Sequence, residues 1–345
     1  MNKQERDSRV DFSVIIPAYR PEYLGIAIKS VLAQKNVSYE IIIVDDTKTD
    51  AIEILTKKFK NKNIRYYKSE KNLGYPLKVI KGFEVAKGTY VFTLGDDDFI
   101  LYDDTFEKIK TIMDETRVGI GKIGGFSYDT DIHTLVKSFI HFTKVTTRKP
   151  SASHNVLLDM LDFNFGFFSG ITFRKEFVDT KKLINHMGFV YFPVLFDVIQ
   201  KKGCVYIPDL YIIARLSFEM LPVYFDIKKH GSFFMRDFIE LAYKEIRNKT
   251  SFEEFRLKYL TTNLFFITNI RYFTSIENAY HVAWSMVSLD KRLLFNPMFY
   301  VYTGLVILPR PIIKEIRKVV LERSANQAKS YLKPDTYHRL IQHLL

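Results

Sequence analysis

Carboxylates that follow apolar runs are the residues of this sequence best suited to chemistry. Asp45 and Asp46 follow the run at 39–44, and three consecutive aspartates at 96–98 follow the run at 89–94. Adjacent carboxylates repel one another, and a bound cation removes that cost. Mg²⁺ usually binds one or two protein carboxylates together with substrate phosphates, and Mn²⁺ also prefers oxygen ligands. The pattern therefore predicts a divalent-metal site that stabilises charge on a diphosphate.

The elements that position these aspartates are apolar runs alternating with helical patterns. The runs that predict buried parallel strands are 12–16, 39–44, 64–68 and 89–94. Residues 23–34 and 76–87 carry apolar side chains at helical spacing between the runs. The alternation predicts an α/β fold with a mostly parallel sheet flanked by helices. Ligands bind such sheets beyond the carboxyl ends of the strands, which is where the aspartates lie.

The second part of the chain, after residue 118, has a less regular pattern. The elements predicted there are irregular strands at 118–142, helices at 151–162, 174–185 and 191–202, and a short strand at 205–208. Beyond residue 222 the chain is rich in aromatic residues and mostly helical. The predicted domains are 1–221, with halves at 12–118 and 119–221, and a helical carboxyl-terminal region at 222–345.

Composition and charge restrict the environment and the partners. Cys204 is the only cysteine, which excludes an internal disulfide and argues against a cysteine-based zinc site. The polar start MNKQERDSRVDF predicts no secretory signal and a cytoplasmic location. The formal net charge is +12, and residues 291–345 hold ten Lys and Arg against three Asp and Glu. This excess predicts an anionic partner and leaves nucleic acid, acidic lipid and acidic substrate open.

Two stretches resemble the signature of family 2 glycosyltransferases. They are SVIIPAYRPEYLGIAIKSVLAQKNVSYEIIIVDDTKTD at 13–50 and NLGYPLKVIKGFEVAKGTYVFTLGDDD at 72–98. The resemblance spans residues 12–215 and is specific in the first hundred residues. It implies a GT-A fold, which is a Rossmann-like and mostly parallel sheet with flanking helices. It also implies a nucleotide-sugar donor, a Mg²⁺ or Mn²⁺ ion, and inversion at the anomeric carbon.

The resemblance also assigns roles to individual residues. It implies nucleotide-sugar contacts from Pro17, Ala18, Tyr19, Asp45, Asp46, Asn72, Gly74, Lys78 and Asp96. Asp46 would accept a hydrogen bond from the base, and Asp45 would support its loop. Asp96 would approach the ribose or the metal, and Asp97 would bind the metal. The sequence departs from the family at Gly95, where the motif usually begins with Asp. It also departs at 79–80, where a basic residue and Asn are usual, so Lys78 or Lys81 would supply positive charge toward the diphosphate.

A catalytic base is harder to assign. Inverting transfer needs a group that takes the proton of the attacking hydroxyl. Family members often place Glu-Asp before a helix that ends in Gly and a YIP-like strand, but that position is Tyr191-Phe192 here. The nearest acid is Asp197, whose apolar neighbours predict a pKa raised by burial. His186 is a second candidate, and the alternative for Asp197 is an ion pair with a lysine.

The acceptor side and the competing functions complete the interpretation. Residues 168–172 resemble the acceptor-side loop of the family, and a tight turn between core segments is the structural alternative. The sequence favours a UDP-sugar donor and a glycan or lipid-linked glycan acceptor in surface polysaccharide synthesis. The main rival is an aspartyl phosphotransferase of the haloacid-dehalogenase type, because 45–49 fits D-x-T-x-T with Asp45 as nucleophile. A basic nucleic-acid-binding protein explains the charge but not the aspartates, so no nucleic-acid partner is predicted.

The carboxyl-terminal region predicts a contact with an acidic membrane surface. Residues 293–308 are strongly apolar but too short to span a bilayer. Residues 312–323 place apolar side chains on one helical face, which we predict to be flanked by Lys314, Arg317 and Lys318. The expected location is therefore the inner face of the cell membrane, bound peripherally. The alternative is that this face packs on the catalytic domain or on a second subunit of a homo-oligomer.

Overall fold

The structure is a computed structural model. It describes residues 10–129, 134–137, 142–151, 155–186, 189–216, 233–245, 249–332 and 336. The strands are β1 (Phe12–Ala18), β2 (Tyr39–Asp45), β3 (Ile64–Lys68), β4 (Tyr90–Thr93), β5 (Phe99–Ile100), β6 (Ile120–Asp129), β7 (Thr134–Lys137), β8 (Thr146–Arg148), β9 (Ile171–Arg174) and β10 (Cys204–Leu216). The helices are α1 (Pro21–Leu32), α2 (Ala51–Lys58), α3 (Gly74–Val85), α4 (Thr105–Thr116), α5 (Val156–Asp162), α6 (Phe192–Lys202), α7 (Phe233–Glu245), α8 (Lys249–Thr262), α9 (Phe266–Phe273), α10 (Ile276–Leu289), α11 (Pro297–Leu305) and α12 (Arg310–Tyr331).

One mixed sheet forms the centre of the first part of the chain. Its strand order is β3-β2-β1-β4-β9-β6-β10-β5, with β7 beside β6 and β8 beside β10. β1 pairs in parallel with β2 and with β4, and β2 pairs in parallel with β3. The four predicted parallel strands are therefore confirmed. Their shared direction brings Ala18 and Asp45 side by side at one edge of the sheet.

Three of the four parallel strands, β1, β2 and β4, are mostly apolar and buried, whereas β3 at the edge of the sheet is half-buried. Every residue of β1 is buried, and helices cover the sheet. Phe12 stacks on Tyr90 with ring centroids 5.2 Å apart and on Phe106 of α4 at 4.5 Å. Pro21 opens α1, since its missing N–H is not needed in the first turn. This packing fixes the strand ends from which the candidate site is built.

The second half of the sheet differs from the sequence prediction in two places. A helix over 174–185 is wrong, because Ile171–Arg174 pairs with both β4 and β6 and only short 3₁₀ turns follow. The predicted strand at 205–208 is confirmed but runs on to Leu216, because Ile212 and Ile213 pair with β5. Parts of the predicted strands at 118–142, residues 130–133 and 138–141, lie outside the described residues.

The contacts divide the chain into two compact units. One comprises residues 1–128 and 137–215, and the other comprises 129–136 and 216–345. The second unit is helical from α7 to α12 over its described part, as the sequence predicts. The predicted domain boundary at 221–222 lies outside the described residues. Among the helices that the structure describes, none combines the length and the apolar character needed to cross a membrane.

A glycine at the end of α6 gives a test of the fold. Gly203 has φ +76°, and a Cβ there would lie 2.2 Å from the carbonyl oxygen of Arg148. We expect Gly203→Ala to lower the free energy of unfolding by more than about 1 kcal/mol, because Ala is strained at positive φ. Gly25→Ala is the control, since Gly25 lies in α1 with only one atom within 4 Å, at 3.9 Å. Urea unfolding should rank the control at or above the wild type, and equal loss in both variants would contradict this account of Gly203.

Candidate active site

The carboxylate of Asp96 joins the ends of β1 and β4. Its Oδ2 accepts hydrogen bonds from the backbone N–H of Tyr19, at 2.5 Å, and of Arg20, at 2.7 Å. These two residues follow β1, whereas Asp96 lies three residues beyond β4. The bonds explain why a buried carboxylate is tolerated here, since two N–H donors replace water. Asp96 therefore lies in the loop cluster that the sequence predicts, next to Tyr19.

Asp97 and Asp98 have different surroundings although they are adjacent. Asp97 forms an ion pair with Arg20, with Nη1 and Oδ2 2.5 Å apart, and its side chain keeps 21% of its exposure. Asp98 is buried and accepts hydrogen bonds from the Ser169 hydroxyl and, at 3.3 Å, from the Arg215 N–H. Ser169 in turn accepts from the Gly95 N–H at 2.7 Å. Of the three aspartates, Asp97 is the one that can reach a ligand.

Burial makes the aspartate cluster, residues 96–98, a poor place for negative charge in the absence of a cation. Burial and the charge of Asp97 together raise the pKa of Asp96 to about 6. Burial, again with the charge of Asp97, raises the pKa of Asp98 well above its usual range. Burial also raises the pKa of Asp97, although Arg20 opposes the rise. A cation that stays next to these groups would favour their charged forms.

The residues present fit a metal ion that is bound together with a substrate. Among the described residues, no group of three or more His, Cys, Asp or Glu side chains is arranged to hold a metal. Asp96 and Asp98 are buried, whereas the Asp97 side chain keeps 21% of its exposure, so Asp97 is the carboxylate of this cluster that a ligand can reach. Mg²⁺ is commonly bound by one or two carboxylates, with phosphates and water as further ligands. The donor set is therefore sufficient only if a diphosphate completes it.

Asp46 and Lys78 form a buried ion pair beside the same strand ends. Lys78 Nζ lies 2.8 Å from Asp46 Oδ1 and donates to the carbonyl of Ala18 at 2.8 Å. Asp46 Oδ2 accepts from the Gly74 N–H at 2.7 Å. In this structure Asp46 and the Ala18 carbonyl engage the Lys78 ammonium, so a role of Lys78 or Lys81 toward a diphosphate stays a prediction. Lys78 is 4% exposed, and its ammonium fixes the loop that carries Asp46.

Asp45 is an anchor of the strand end and not a nucleophile. It is fully buried, and it accepts from the Tyr66 hydroxyl at 2.6 Å, from Lys68 Nζ at 3.1 Å and from the Thr47 N–H at 2.7 Å. Burial alone would raise the pKa of Asp45, but these hydrogen bonds hold it below its usual value. A carboxylate with both oxygens engaged and no exposed surface cannot attack a phosphate. The phosphotransferase alternative is therefore not supported.

The remaining predicted nucleotide contacts surround Asp46 and Asp96. Tyr19 is 59% exposed at the end of β1, and Lys78 Nζ lies 5.5 Å from its ring centre. Gly74 has φ +66°, and its N–H also lies 3.1 Å from Asn72 Oδ1. Pro17 and Ala18, the last residues of β1, are buried. An exposed aromatic ring next to a pinned backbone loop is suited to stacking on a flat base.

Asp197 does not have the properties expected of the catalytic base. Its carboxylate lies 2.6 Å from Lys182 Nζ and 2.8 Å from Lys201 Nζ. Burial would raise its pKa, but the hydrogen bonds and charges of the two lysines lower the pKa overall. The predicted rise is therefore wrong, because the flanking apolar residues face the core while Asp197 faces the lysines. His186, the second candidate, has its ring 5.5 Å from that of Phe189.

The position of Asp197 also separates it from the aspartate cluster. The neighbouring Val198 packs where a side chain on Gly119 would be, and the Gly119 carbonyl accepts from the Arg174 N–H. Arg174 pairs with Tyr90, which is the first residue of β4. Asp197 is therefore near the amino-terminal end of β4, whereas the aspartates follow its carboxyl-terminal end. We do not retain Asp197 as the base.

Sequence reasoning missed the cations and the hydroxyl that surround the aspartates. Arg20, Ser169 and Arg215 contact them as described, and Lys122 donates to the carbonyls of Ser169 at 2.7 Å and Phe167 at 2.8 Å. Burial lowers the pKa of Lys122 to about 7, and the charge of Asp98 opposes this. A lysine in the apolar strand IGKIGG was a visible signal, because a buried lysine needs partners. Arg20 gave no signal beyond following the Pro17-Ala18-Tyr19 motif.

The fold and the site define a class of protein. A mostly parallel sheet with flanking helices, and aspartates at its strand ends, is a GT-A architecture. Residues 13–180 match the family described as Glycosyl transferase family 2. The chain therefore contains a family 2 glycosyltransferase domain.

Individual relatives agree with this assignment over part of their length. An uncharacterized glycosyltransferase of Rickettsia felis is 41% identical over 105 residues, which cover 30% of this chain and 17% of that protein. Succinoglycan biosynthesis protein ExoO of Rhizobium meliloti is 23% identical, covering 53% of each chain. Poly(ribitol-phosphate) beta-N-acetylglucosaminyltransferase TarS of Staphylococcus aureus is 30% identical, covering 30% of this chain and 19% of that protein. The chain thus spans between about a sixth and a half of these relatives.

A solved structure supports the fold over most of the chain. The crystal structure of residues 1–349 of S. aureus TarS superposes with a TM-score of 0.55 at 16% identity. The superposition covers 89% of this chain and 91% of that one. The same fragment in complex with UDP gives a TM-score of 0.56. At this identity the likeness establishes the GT-A fold alone.

The buried Lys122 predicts a pH dependence of stability. Its pKa is about 7 in the folded protein and about 10.4 in an unfolded chain. Between these values the unfolded state holds a proton that the folded state lacks, so stability should rise with pH. The slope for one proton is at most about 1.4 kcal/mol per pH unit. Chemical unfolding at pH 7 to 9 should show this rise in the wild type and in Lys29→Met, and Lys122→Met should lack it. Parallel curves for Lys122→Met and the wild type would contradict the burial argument.

Proposed function

We propose that this chain is a metal-dependent inverting glycosyltransferase. It would transfer a sugar from a UDP-sugar to a hydroxyl group of a glycan or lipid-linked glycan in polysaccharide synthesis at the cell surface. The observation that carries the proposal is that Asp46 follows β2, Asp96 and Asp97 follow β4, and Asp96 binds the loop after β1, all within a family 2 domain. The relatives named for succinoglycan and poly(ribitol-phosphate) support the acceptor class.

Each group of the site has a task in this reaction. The exposed ring of Tyr19 stacks on the base, and Asp46 accepts a base N–H with lone pairs that Lys78 and Gly74 leave free, since a carboxylate has about four acceptor positions. Asp97 holds the divalent ion, which supplies positive charge for the diphosphate leaving group. The Lys122 and Ser169 contacts keep the loop at 167–170 in place beside the donor. Complexes of TarS with UDP and with UDP-GlcNAc support uracil as the base.

Donor binding gives the direct test of this function. We expect UDP to raise the melting temperature in the presence of Mn²⁺ and to have little effect in EDTA, because the aspartate cluster repels a bare diphosphate. At a ligand concentration one hundred times Kd the stabilisation is about 2.7 kcal/mol. Differential scanning fluorimetry with UDP, GDP, dTDP and CMP should rank UDP first. Equal stabilisation with and without EDTA would argue against a metal-bridged donor.

A pair of matched variants makes this test specific. Asp97→Asn should lose the Mn²⁺-dependent shift with UDP, because the ligand carboxylate of the metal is gone. Asp103→Asn should keep the shift, since Asp103 is an exposed partner of Lys35 at 2.5 Å. If Asp97→Asn binds Mn²⁺-UDP as well as the wild type does, Asp97 is not the metal ligand.

We also propose that the second unit binds an anionic membrane surface. Ten of its large apolar side chains between residues 294 and 320 are exposed, and they form the apolar surface segment. They are Leu294, Phe295, Met298, Tyr300, Val301, Ile307, Ile312, Ile316, Val319 and Val320. Phe295 is 88% exposed and Ile307 is 66% exposed. Contact of such large apolar side chains with water is unfavourable. Exposed apolar residues concentrated in one part of a chain are typical of interaction surfaces.

The basic residues around the apolar surface segment support an anionic lipid surface as its binding partner. Residues 293–309 contain no charged side chain, and Lys291, Arg292 and Arg310 border them. The described residues 291–332 contain eight Lys and Arg against two Glu. Of the three basic residues predicted to flank the apolar face, Arg317 contacts α9, with its guanidinium carbon 5.0 Å from the centre of the Tyr272 ring. Each basic group near an anionic surface contributes about 1 kcal/mol of attraction.

Vesicle flotation tests this surface. The chain should float with vesicles that contain phosphatidylserine, lose binding as salt rises, and ignore neutral vesicles. Phe295→Glu with Val301→Glu should reduce the floating fraction at least tenfold, because two apolar contacts become repulsive charges. Ile54→Glu is the control, since Ile54 is 56% exposed on the other unit. A chain that stays unbound, or that self-associates through this segment in size-exclusion chromatography, would rule out membrane docking.

A further inference from the structure

Arg20 is the partner of the one carboxylate that can reach a ligand. Its guanidinium is 2.5 Å from Asp97, and the two side chains keep 19% and 21% of their exposure. Its backbone N–H is held by Asp96 at 2.7 Å. The main chain of Arg20 is therefore fixed, while its side chain is placed where a cation bound to Asp97 would be.

We propose that Arg20 and the divalent cation compete for Asp97, and that the donor diphosphate accepts the Arg20 guanidinium when the metal binds. Arg20 is in this view a diphosphate-binding residue that is stored on Asp97 in the empty enzyme. The inference rests on the proposed function, because it requires a nucleoside diphosphate and a metal at this site. Beyond that function, the inference states that the metal replaces Arg20 on Asp97 and that Arg20 moves to the diphosphate.

Electrostatics makes simultaneous occupancy of Asp97 unfavourable. A guanidinium and a divalent ion on one carboxylate are like charges a few ångströms apart, and partial burial strengthens their repulsion. Metal entry alone therefore costs the Arg20–Asp97 ion pair. A diphosphate removes that cost, because arginine binds phosphate oxygens through two parallel N–H donors. Only the side chain has to rotate, since Asp96 holds the backbone.

A second arginine keeps the site positive and makes an anion necessary. Arg215 stacks on Tyr23, with its guanidinium carbon 4.2 Å from the ring centre, and its charge lowers the pKa of Asp97. Among the described residues, its Nε is buried with no hydrogen-bond partner. When a metal displaces Arg20, the Arg20 and Arg215 guanidinium groups and the ion lie close together, and Asp97 is the one partly exposed carboxylate of the cluster. The diphosphate is the ligand whose charge balances this arrangement.

The exchange predicts cooperative binding of metal and nucleotide. Each ligand alone must break or oppose the Arg20–Asp97 ion pair. Together the two ligands replace it with two new ion pairs, one between the metal and Asp97 and one between Arg20 and the diphosphate. Coupling between two ligands is reciprocal, so UDP should raise the affinity for Mn²⁺ by the same factor as Mn²⁺ raises the affinity for UDP. Removing the Arg20 charge should therefore weaken the coupling from both sides.

Titration calorimetry of the full chain with Mn²⁺ and UDP tests the exchange. Arg20→Gln should bind Mn²⁺ without nucleotide roughly tenfold more tightly than the wild type, which is the effect of losing one charge-assisted hydrogen bond. It should bind UDP in the presence of Mn²⁺ at least several-fold more weakly, because the phosphate partner is missing. Arg20→Lys keeps the charge, so both of its affinities should lie between those of the wild type and Arg20→Gln. Arg117→Gln is the control and should match the wild type in both affinities.

The outcomes separate this inference from the proposed function. If the wild type binds Mn²⁺-UDP and Arg20→Gln leaves the affinity for Mn²⁺ alone unchanged, the competition is wrong and the glycosyltransferase proposal stands. If Arg20→Gln binds Mn²⁺ more tightly but keeps the wild-type affinity for Mn²⁺-UDP, the diphosphate contact is wrong. If the wild type binds neither ligand, both proposals fail.

Discussion

The site depends on one carboxylate that receives two consecutive backbone N–H groups. Asp96 lies beyond β4, and the N–H groups of Tyr19 and Arg20 lie beyond β1, so the bonds join two loops that the sheet alone would leave separate. The bonds also fix where the side chains of Tyr19 and Arg20 begin. As a result, the exposed Tyr19 ring is placed where a base can stack, and the Arg20 guanidinium is placed beside Asp97. Loss of the Asp96 carboxylate would therefore displace both Tyr19 and Arg20, which are the residues proposed to contact the nucleotide.

Every other acid of the site is held by a partner of its own. Asp45 has Tyr66 and Lys68, Asp46 has Lys78, and Asp98 has Ser169. Unpaired carboxylates at this depth would protonate, because desolvation disfavours their charge. Each of these acids is thus already engaged by groups of the protein. A charged ligand binds only by taking over one of these pairings, and the pair with residual exposure is that of Asp97.

The sequence predicted the donor half of the fold well, since β1, β2 and β4 are short, mostly apolar runs that are buried, and the half-buried β3 fits the same strand–helix alternation. It predicted the aspartates for the same reason, because strand ends define their position. It failed at 174–185, where pairing of Ile171–Arg174 with two strands overrides helical spacing. For Asp197 the predicted rise in pKa is wrong, and the structure shows the alternative that the sequence left open, an ion pair with a lysine. Lys201 lies four residues further along the same helix, whereas Lys182 is fifteen residues away and no local pattern connects it to Asp197.

Gly95 shows why a departure from the family motif is tolerated. The family usually has Asp at this position, but a Cβ here would lie 2.8 Å from Asp98 Oδ2 and 3.2 Å from Asp97 Oδ1. An added carboxylate would crowd both groups and bring a fourth negative charge into a cluster that burial already disfavours. Glycine instead leaves room for its own N–H to donate to Ser169, which donates to Asp98. The acidic turn is thereby tied to the acceptor-side loop at 167–170, where Lys122 of β6 donates to the carbonyls of Phe167 and Ser169. The missing aspartate is thus consistent with a site in which the third acid, Asp98, serves to connect the two halves of the domain.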